Sequence, residues 1–151
     1  MGRIQVGILN LMGTVYLDPL DNPFFTADAM LKNIPKITVV DFHAEATGEK
    51  RSMGYYLDGR ISALWGTHTH VQTADECILP KGTGYISDLG MTGAVNSVLG
   101  VKPELTIRKM RSQMPVRFDL VKDGPFKMDC CLFEIDEKTG RCQNVERLEL
   151  Q

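Results

Sequence analysis

Apolar residues in this chain gather into short runs of strand length, separated by turn residues or by stretches with helical spacing. Residues 4–11, apolar at Ile4, Val6, Ile8, Leu9 and Leu11, predict a first strand. Asp18-Pro19-Leu20-Asp21-Asn22-Pro23 reads as a turn-rich loop. Thr26 is placed to cap a short helix running through Met30 to Asn33. That helix must stop before Pro35, because proline pushes the residue before it out of helical geometry. Residues 37–42, rich in β-branched side chains, predict a buried strand. Residues 47–57 predict a helix with Thr47 as its cap and Asp58-Gly59 as its stop. A further strand at 61–65 completes a βαβ unit, for which a parallel pair and a right-handed crossover are expected.

The second half changes style. Residues 84–89 predict a short strand between glycines, and 103–111 a helix opened by Pro103, with a basic face from Lys102 to Arg111. Residues 116–121 alternate apolar and polar as a half-exposed strand does, and Asp123-Gly124 signals a turn. Strands at 128–135 and 142–150 flank the Lys138-Thr139-Gly140 turn. The expected fold class is therefore α/β, one domain over 1–151, with a terminal antiparallel β meander. Tyr55, Tyr56 and Trp65 read as packing residues, and Gly90-Met91-Thr92-Gly93 as a turn with a pocket-lining loop as the alternative.

All three histidines sit at the ends of strand-like runs: His43 after 37–42, and His68 and His70 after 61–65. Ligands of open α/β sheets collect outside the carboxyl ends of the strands, and imidazole is the commonest metal-ligating side chain. A turn at Gly66-Thr67 lets two histidines one residue apart reach one site, so His43, His68 and His70 form a candidate metal site. The competing interpretation is bland. A lone histidine is usually solvated, and an H-x-H pair in a regular strand puts both rings on one exposed face. Asp41 and Glu45 flank His43 and can orient its free ring nitrogen, or else serve as local strand-end and helix-start charges. Asp75 is placed to buttress the His68–His70 loop, or is a surface turn residue.

Composition narrows the functional classes. The chain has 151 residues, 43% of them hydrophobic and 24% charged, and a formal net charge of −2; a dedicated nucleic-acid surface is not expected. A small phosphorylated substrate held through a metal stays open. Cys77, Cys130, Cys131 and Cys142 show no C-x-x-C spacing and read as reduced thiols of a cytoplasmic protein. The first apolar stretch is too short and too polar for a signal core or a membrane span. Met1-Gly2 begins like a myristoylation site, but position 6 is Val.

Several segments are more specific. Asp41-Phe42-His43-Ala44-Glu45-Ala46-Thr47 and Gly66-Thr67-His68-Thr69-His70-Val71-Gln72-Thr73-Ala74-Asp75 resemble the YmdB-like branch of the calcineurin-like metallophosphoesterases. Ile78-Leu79-Pro80-Lys81-Gly82-Thr83, Ser87-Asp88-Leu89-Gly90-Met91-Thr92-Gly93, Leu99-Gly100 and Met114-Pro115-Val116-Arg117-Phe118 continue that resemblance, and Asp18 to Phe24 resembles it upstream. The resemblance implies an α/β/β/α sandwich with a dinuclear centre (Fe or Mn, with Zn as an option) that hydrolyses phosphodiesters such as 2′,3′-cyclic nucleotides. It implies that His43 and His68 share one metal and that His70 ligates the other.

The same resemblance implies further parts: a first-strand aspartate, a bridging glutamate in an N-G-E-N run, and a G-N-H run bearing a metal-binding asparagine and a catalytic acid. None of these runs occurs in this sequence. The expectation is therefore a partial sandwich, the C-terminal half of the domain, with the N-terminal half supplied in cis or in trans. The chain by itself is expected to bind at most one ion. The alternative is a non-catalytic α/β module that binds one metal or a partner chain.

Overall fold

The computed structural model describes residues 3–151; Met1 and Gly2, where the myristoylation comparison begins, lie outside the described residues. Strands β1 (Val6–Met12), β2 (Ile37–His43) and β3 (Ala63–Thr67) run parallel and in sequence order. The short β4 (Cys77–Ile78) lies antiparallel to β5 (Gly84–Ile86), which pairs parallel with β3, so the sheet order is β1-β2-β3-β5-β4. The expected βαβ unit is β2, helix α2 (Thr47–Leu57) and β3. A second, antiparallel sheet has the order β6 (Thr92–Ala94), β7 (Phe126–Ile135), β8 (Cys142–Leu150), which contains the expected terminal meander.

Alternation along the strands divides the first sheet into two faces. Leu9 and Leu11 of β1, Val40 and Phe42 of β2, Leu64 of β3 and Tyr85 of β5 form one core. They pack with Ala27 of helix α1 (Pro23–Met30) and Met53 and Leu57 of α2. The opposite face meets the second sheet, where Trp65 packs on Phe133 with ring centroids 6.2 Å apart. Gly84 lies so close to Phe133 and Cys142 that a side chain there would collide with both. Helices, sheet and sheet thus stack as in a partial α/β sandwich. The second sheet packs over β4, β5 and Trp65 of β3. On β1, at the sheet's open edge, Val6 and Ile8 face outward and are 52% and 73% exposed.

Several sequence expectations need correction. Asn22, not Thr26, caps α1, its side chain accepting the Phe24 amide while Pro23 opens the helix. A short 3-10 turn at Leu31–Asn33 follows, and the extended Ile34 before Pro35 ends the helical stretch. Helix α2 has the expected bounds, but Ala46 occupies its cap position without a side-chain bond. Residues 116–121 form no strand. Leu120 makes one isolated bridge to Val101, since the stretch is held mainly by the loop before α3 (Pro103–Ser112). Thr92 and Gly93, expected within a turn, belong to β6, whose pairing with β7 fixes them. Among the described residues no helix is long and apolar enough to cross a membrane.

Candidate metal centre

Parallel pairing sets Met12, His43 and Thr67 side by side in one row at the carboxyl ends of β1, β2 and β3. Asp41, His43 and Thr67 share the face opposite the helical core, because odd positions of β2 and β3 alternate away from Val40, Phe42 and Leu64. These side chains join into one hydrogen-bonded series. The Thr67 hydroxyl donates to Asp41 Oδ1 at 2.9 Å and lies 3.1 Å from His43 Nδ1. With its single proton committed to Asp41, Thr67 Oγ1 accepts from His43, which places the His43 proton on Nδ1. At the other end, His68 Nε2 is 2.9 Å from Glu45 Oε2; a carboxylate only accepts, so His68 keeps a proton on Nε2.

The remaining ring nitrogens, His43 Nε2 and His68 Nδ1, face one another at 3.0 Å, with the rings edge to face at an interplanar angle of 80°. In the neutral tautomers both carry lone pairs, and two lone pairs at that distance require a cation between them, either a proton or a metal ion. Two imidazole nitrogens each about 2.0–2.1 Å from one ion, and about 90–110° apart around it, stand about 2.8–3.4 Å from each other. The observed separation fits two ligands of one metal. Of the two carboxylates expected beside His43, only Asp41 serves that ring, and it does so through Thr67; Glu45 holds His68 instead, because the turn after β3 brings His68 Nε2 to it.

His70 lies apart. It is exposed, and among the described residues no hydrogen bond or ring contact joins it to the His43–His68 pair. Among the described residues no three His, Cys, Asp or Glu side chains form a ready-made metal cluster. The turn carrying the two histidines is tightly shaped: His68 and His70 both adopt positive φ, 118° and 65°. The turn expected at Gly66-Thr67 falls one residue later, since both residues are the last of β3; Gly66 is needed there for close packing, because a Cβ would overlap the Ser87 carbonyl oxygen.

Asp75 pins the far end of this loop rather than touching a histidine. It accepts from the Thr73 hydroxyl at 2.7 Å and from the Ser87 amide at 3.0 Å, with Arg51 3.8 Å away. Burial pushes the Asp75 carboxyl up, but the bonds from Ser87 and Thr73 and the Arg51 charge outweigh it and hold it below its ordinary value. Asp88 behaves alike. Burial raises it, and the Lys50 ammonium with the Gly90 and Thr69 amides brings it below the usual carboxylate value.

Sequence reasoning missed three of the groups that shape this site: Thr67, Lys50 and Asp88. One signal was present. Lys50, Met53, Gly54 and Leu57 follow the i, i+3, i+4, i+7 rule of a buried helical stripe, so a charge at its first position is a buried charge in need of a partner.

Comparison with known proteins agrees with the resemblance in the motifs. A family model described as YmdB-like protein matches residues 1–148. A Bacillus subtilis (strain 168) protein named 2′,3′-cyclic-nucleotide 2′-phosphodiesterase is 46% identical over 147 residues, covering 95% of this chain and 55% of that protein. A Mycoplasma pneumoniae protein named putative phosphatase/phosphodiesterase is 36% identical, over 98% of this chain and 54% of its own length. Among solved structures, a hypothetical protein from Thermus thermophilus superposes with a TM-score of 0.89 at 36% identity, over 95% of this chain and 56% of that one. A protein described as a novel phosphatase from Mycoplasma pneumoniae gives 0.86 at 37%, over 95% and 52%. The chain spans about half the length of the relatives it matches. With a family match over nearly every residue, and with sequence and fold agreeing, this chain belongs to the YmdB-like protein family.

Proposed function

We propose that this chain is the histidine-bearing half of a metal-dependent phosphodiesterase acting on small phosphodiesters, with 2′,3′-cyclic nucleotides as the substrate class. The observation that carries the proposal is the series Asp41–Thr67–His43–His68–Glu45, which leaves two imidazole nitrogens facing each other at 3.0 Å. His43 and His68 share one divalent ion, and His70, exposed on the same turn, serves a second ion. A pair of divalent ions supplies charge stabilisation for the phosphoryl oxygens and a nucleophile at neutral pH. Thr67 and Asp41 keep the His43 proton on Nδ1; Glu45 keeps the His68 proton on Nε2. Both rings are thereby held as ligands, unable to act as the acid for the leaving oxygen.

The remaining carboxylate ligand and the acid would come from a further segment, in cis or in trans, seated on the exposed face of β1 at Val6 and Ile8. The protein works in the cytoplasm, where its four free thiols stay reduced. A second reading is a narrower role for the chain alone, as a module that takes up one ion at the facing His43 and His68 nitrogens.

The test is Mn²⁺-supplemented hydrolysis of 2′,3′-cAMP by the 151-residue chain, alone and mixed with the N-terminal half of the Bacillus subtilis relative. We expect little turnover alone and restored turnover in the mixture, falling about ten-fold or more with His68→Ala. Robust turnover that survives His68→Ala would remove the histidines from the chemistry.

A further inference from the structure

The most deeply buried charges near the site belong to no ligand. Lys50 and Asp88 are 2% and 1% exposed, and Lys50 Nζ donates to Asp88 Oδ2 at 2.9 Å. A buried ion pair is a poor source of stability, because desolvation offsets its attraction. This one is connected in a way that points elsewhere. Asp88 Oδ2 also accepts the Thr69 amide at 3.0 Å, and Oδ1 accepts the Gly90 amide at 3.0 Å. Thr69 is the residue between His68 and His70, whose positive φ angles side-chain-bearing residues rarely adopt. Such a turn persists only where its surroundings over-determine it.

Lys50 stands in the first half of α2, just after the Glu45 that holds His68 Nε2. The β2–α2 connection and the first half of α2 therefore grip the histidine turn twice: once at the surface through Glu45, and once in the interior through Lys50, Asp88 and the Thr69 amide. We infer that the Lys50–Asp88 pair is a positioning brace that holds the His68-Thr69-His70 turn in its ligand-presenting conformation. Both histidines then depend on one buried carboxylate that touches neither ring. The part of this inference that concerns ion affinity rests on the metal assignment proposed above; the part that concerns the shape of the turn does not.

Asp58 provides a matched control. It is a buried carboxylate at the opposite end of α2, accepting the Lys81 and Thr83 amides at 2.9 and 3.3 Å. Asp88→Asn, Lys50→Met and Asp58→Asn are compared in the 151-residue chain by two readouts: imidazole ¹⁵N spectra without metal, and Mn²⁺ affinity from the paramagnetic resonance of the free ion. Asp88→Asn is expected to move the His68 and His70 signals and to weaken Mn²⁺ binding about tenfold. Lys50→Met, which leaves Thr69 its acceptor, shows the same changes at smaller size and decides the matter if Asp88→Asn does not fold. Asp58→Asn loses stability but neither shifts the imidazole signals nor changes the affinity. Unchanged imidazole spectra in both Asp88→Asn and Lys50→Met overturn the brace. A wild-type chain that takes up no Mn²⁺ overturns the metal assignment instead, and the metal-free spectra still decide the brace.

Discussion

Thr67→Val keeps the shape of the side chain and removes the hydroxyl that links Asp41 to His43. The loss is two hydrogen bonds, at 2.9 Å to Asp41 Oδ1 and 3.1 Å to His43 Nδ1, one of them to a carboxylate. Net hydrogen-bond contributions are about 1 kcal/mol, rising to about 1.5–3 kcal/mol with a charged partner. Asp41, His43 and Thr67 are all half-buried, so water replaces part of what is lost. We expect a stability loss of about 1–2 kcal/mol by urea denaturation. The larger effect falls on the ring. Without an acceptor at Nδ1, His43 is free to change tautomer and rotamer, and Mn²⁺ affinity should fall about tenfold. Thr67→Ser retains the hydroxyl and should restore both quantities. A valine variant with wild-type affinity, whose His43 ¹⁵N shifts still report a proton on Nδ1, would refute the relay.

Ile8→Thr should leave the melting temperature of the 151-residue chain nearly unchanged, because Ile8 is 73% exposed. The same change should weaken pairing with the half-length segment of a relative by about 2 kcal/mol, most of the value of an isoleucine side chain still to be buried. Calorimetric titration separates the two effects, and equal affinity would mean that this face is not the seat. Gly66→Ala drives a methyl carbon into the Ser87 carbonyl oxygen, so backbone must move; a loss of about 3 kcal/mol or more is expected in denaturant melts. Asp75 and Asp88 have carboxyls depressed below the ordinary 3.8, so the unfolded chain binds protons first as pH falls. Their stabilisation is complete above that ordinary value and lost as pH falls through the folded values. Asp75→Asn should therefore flatten the acid limb of a stability–pH curve, and an unaltered limb would argue against the depression.

What was legible in the sequence follows the range over which each force acts. The β2–α2–β3 unit could be read because hydrophobic periodicity is local, and its helix bounds agree with the pattern at residues 47–57. The terminal strands were legible for the same reason. Alternation at 116–121 misled, because period-two patterning makes a strand only where a partner edge is available, and Leu120 finds a single bridge. The placement of histidines at strand ends anticipated the meeting of His43 and His68, but not the separate position of His70. That separation arises from the positive φ at His68 and His70, which no pattern of residue types announces. Lys50 and Asp88 lie far apart in sequence, and their partnership is settled only by the packing of α2 against the strand ends.

The residues from Asp41 to His68 contain the whole orienting series, and they are also the span of a single crossover, β2 to α2 to β3. The geometry that points two imidazoles at each other is thus inherited from one chain-local folding unit, with Lys50 of the same unit reaching out to Asp88. An ion that binds only the paired rings would deepen the free-energy well of that unit before any other. Amide exchange in β2 and β3 should slow on metal addition while the β7–β8 ribbon is unaffected, because protection follows the cooperative segment that the ligand cross-links.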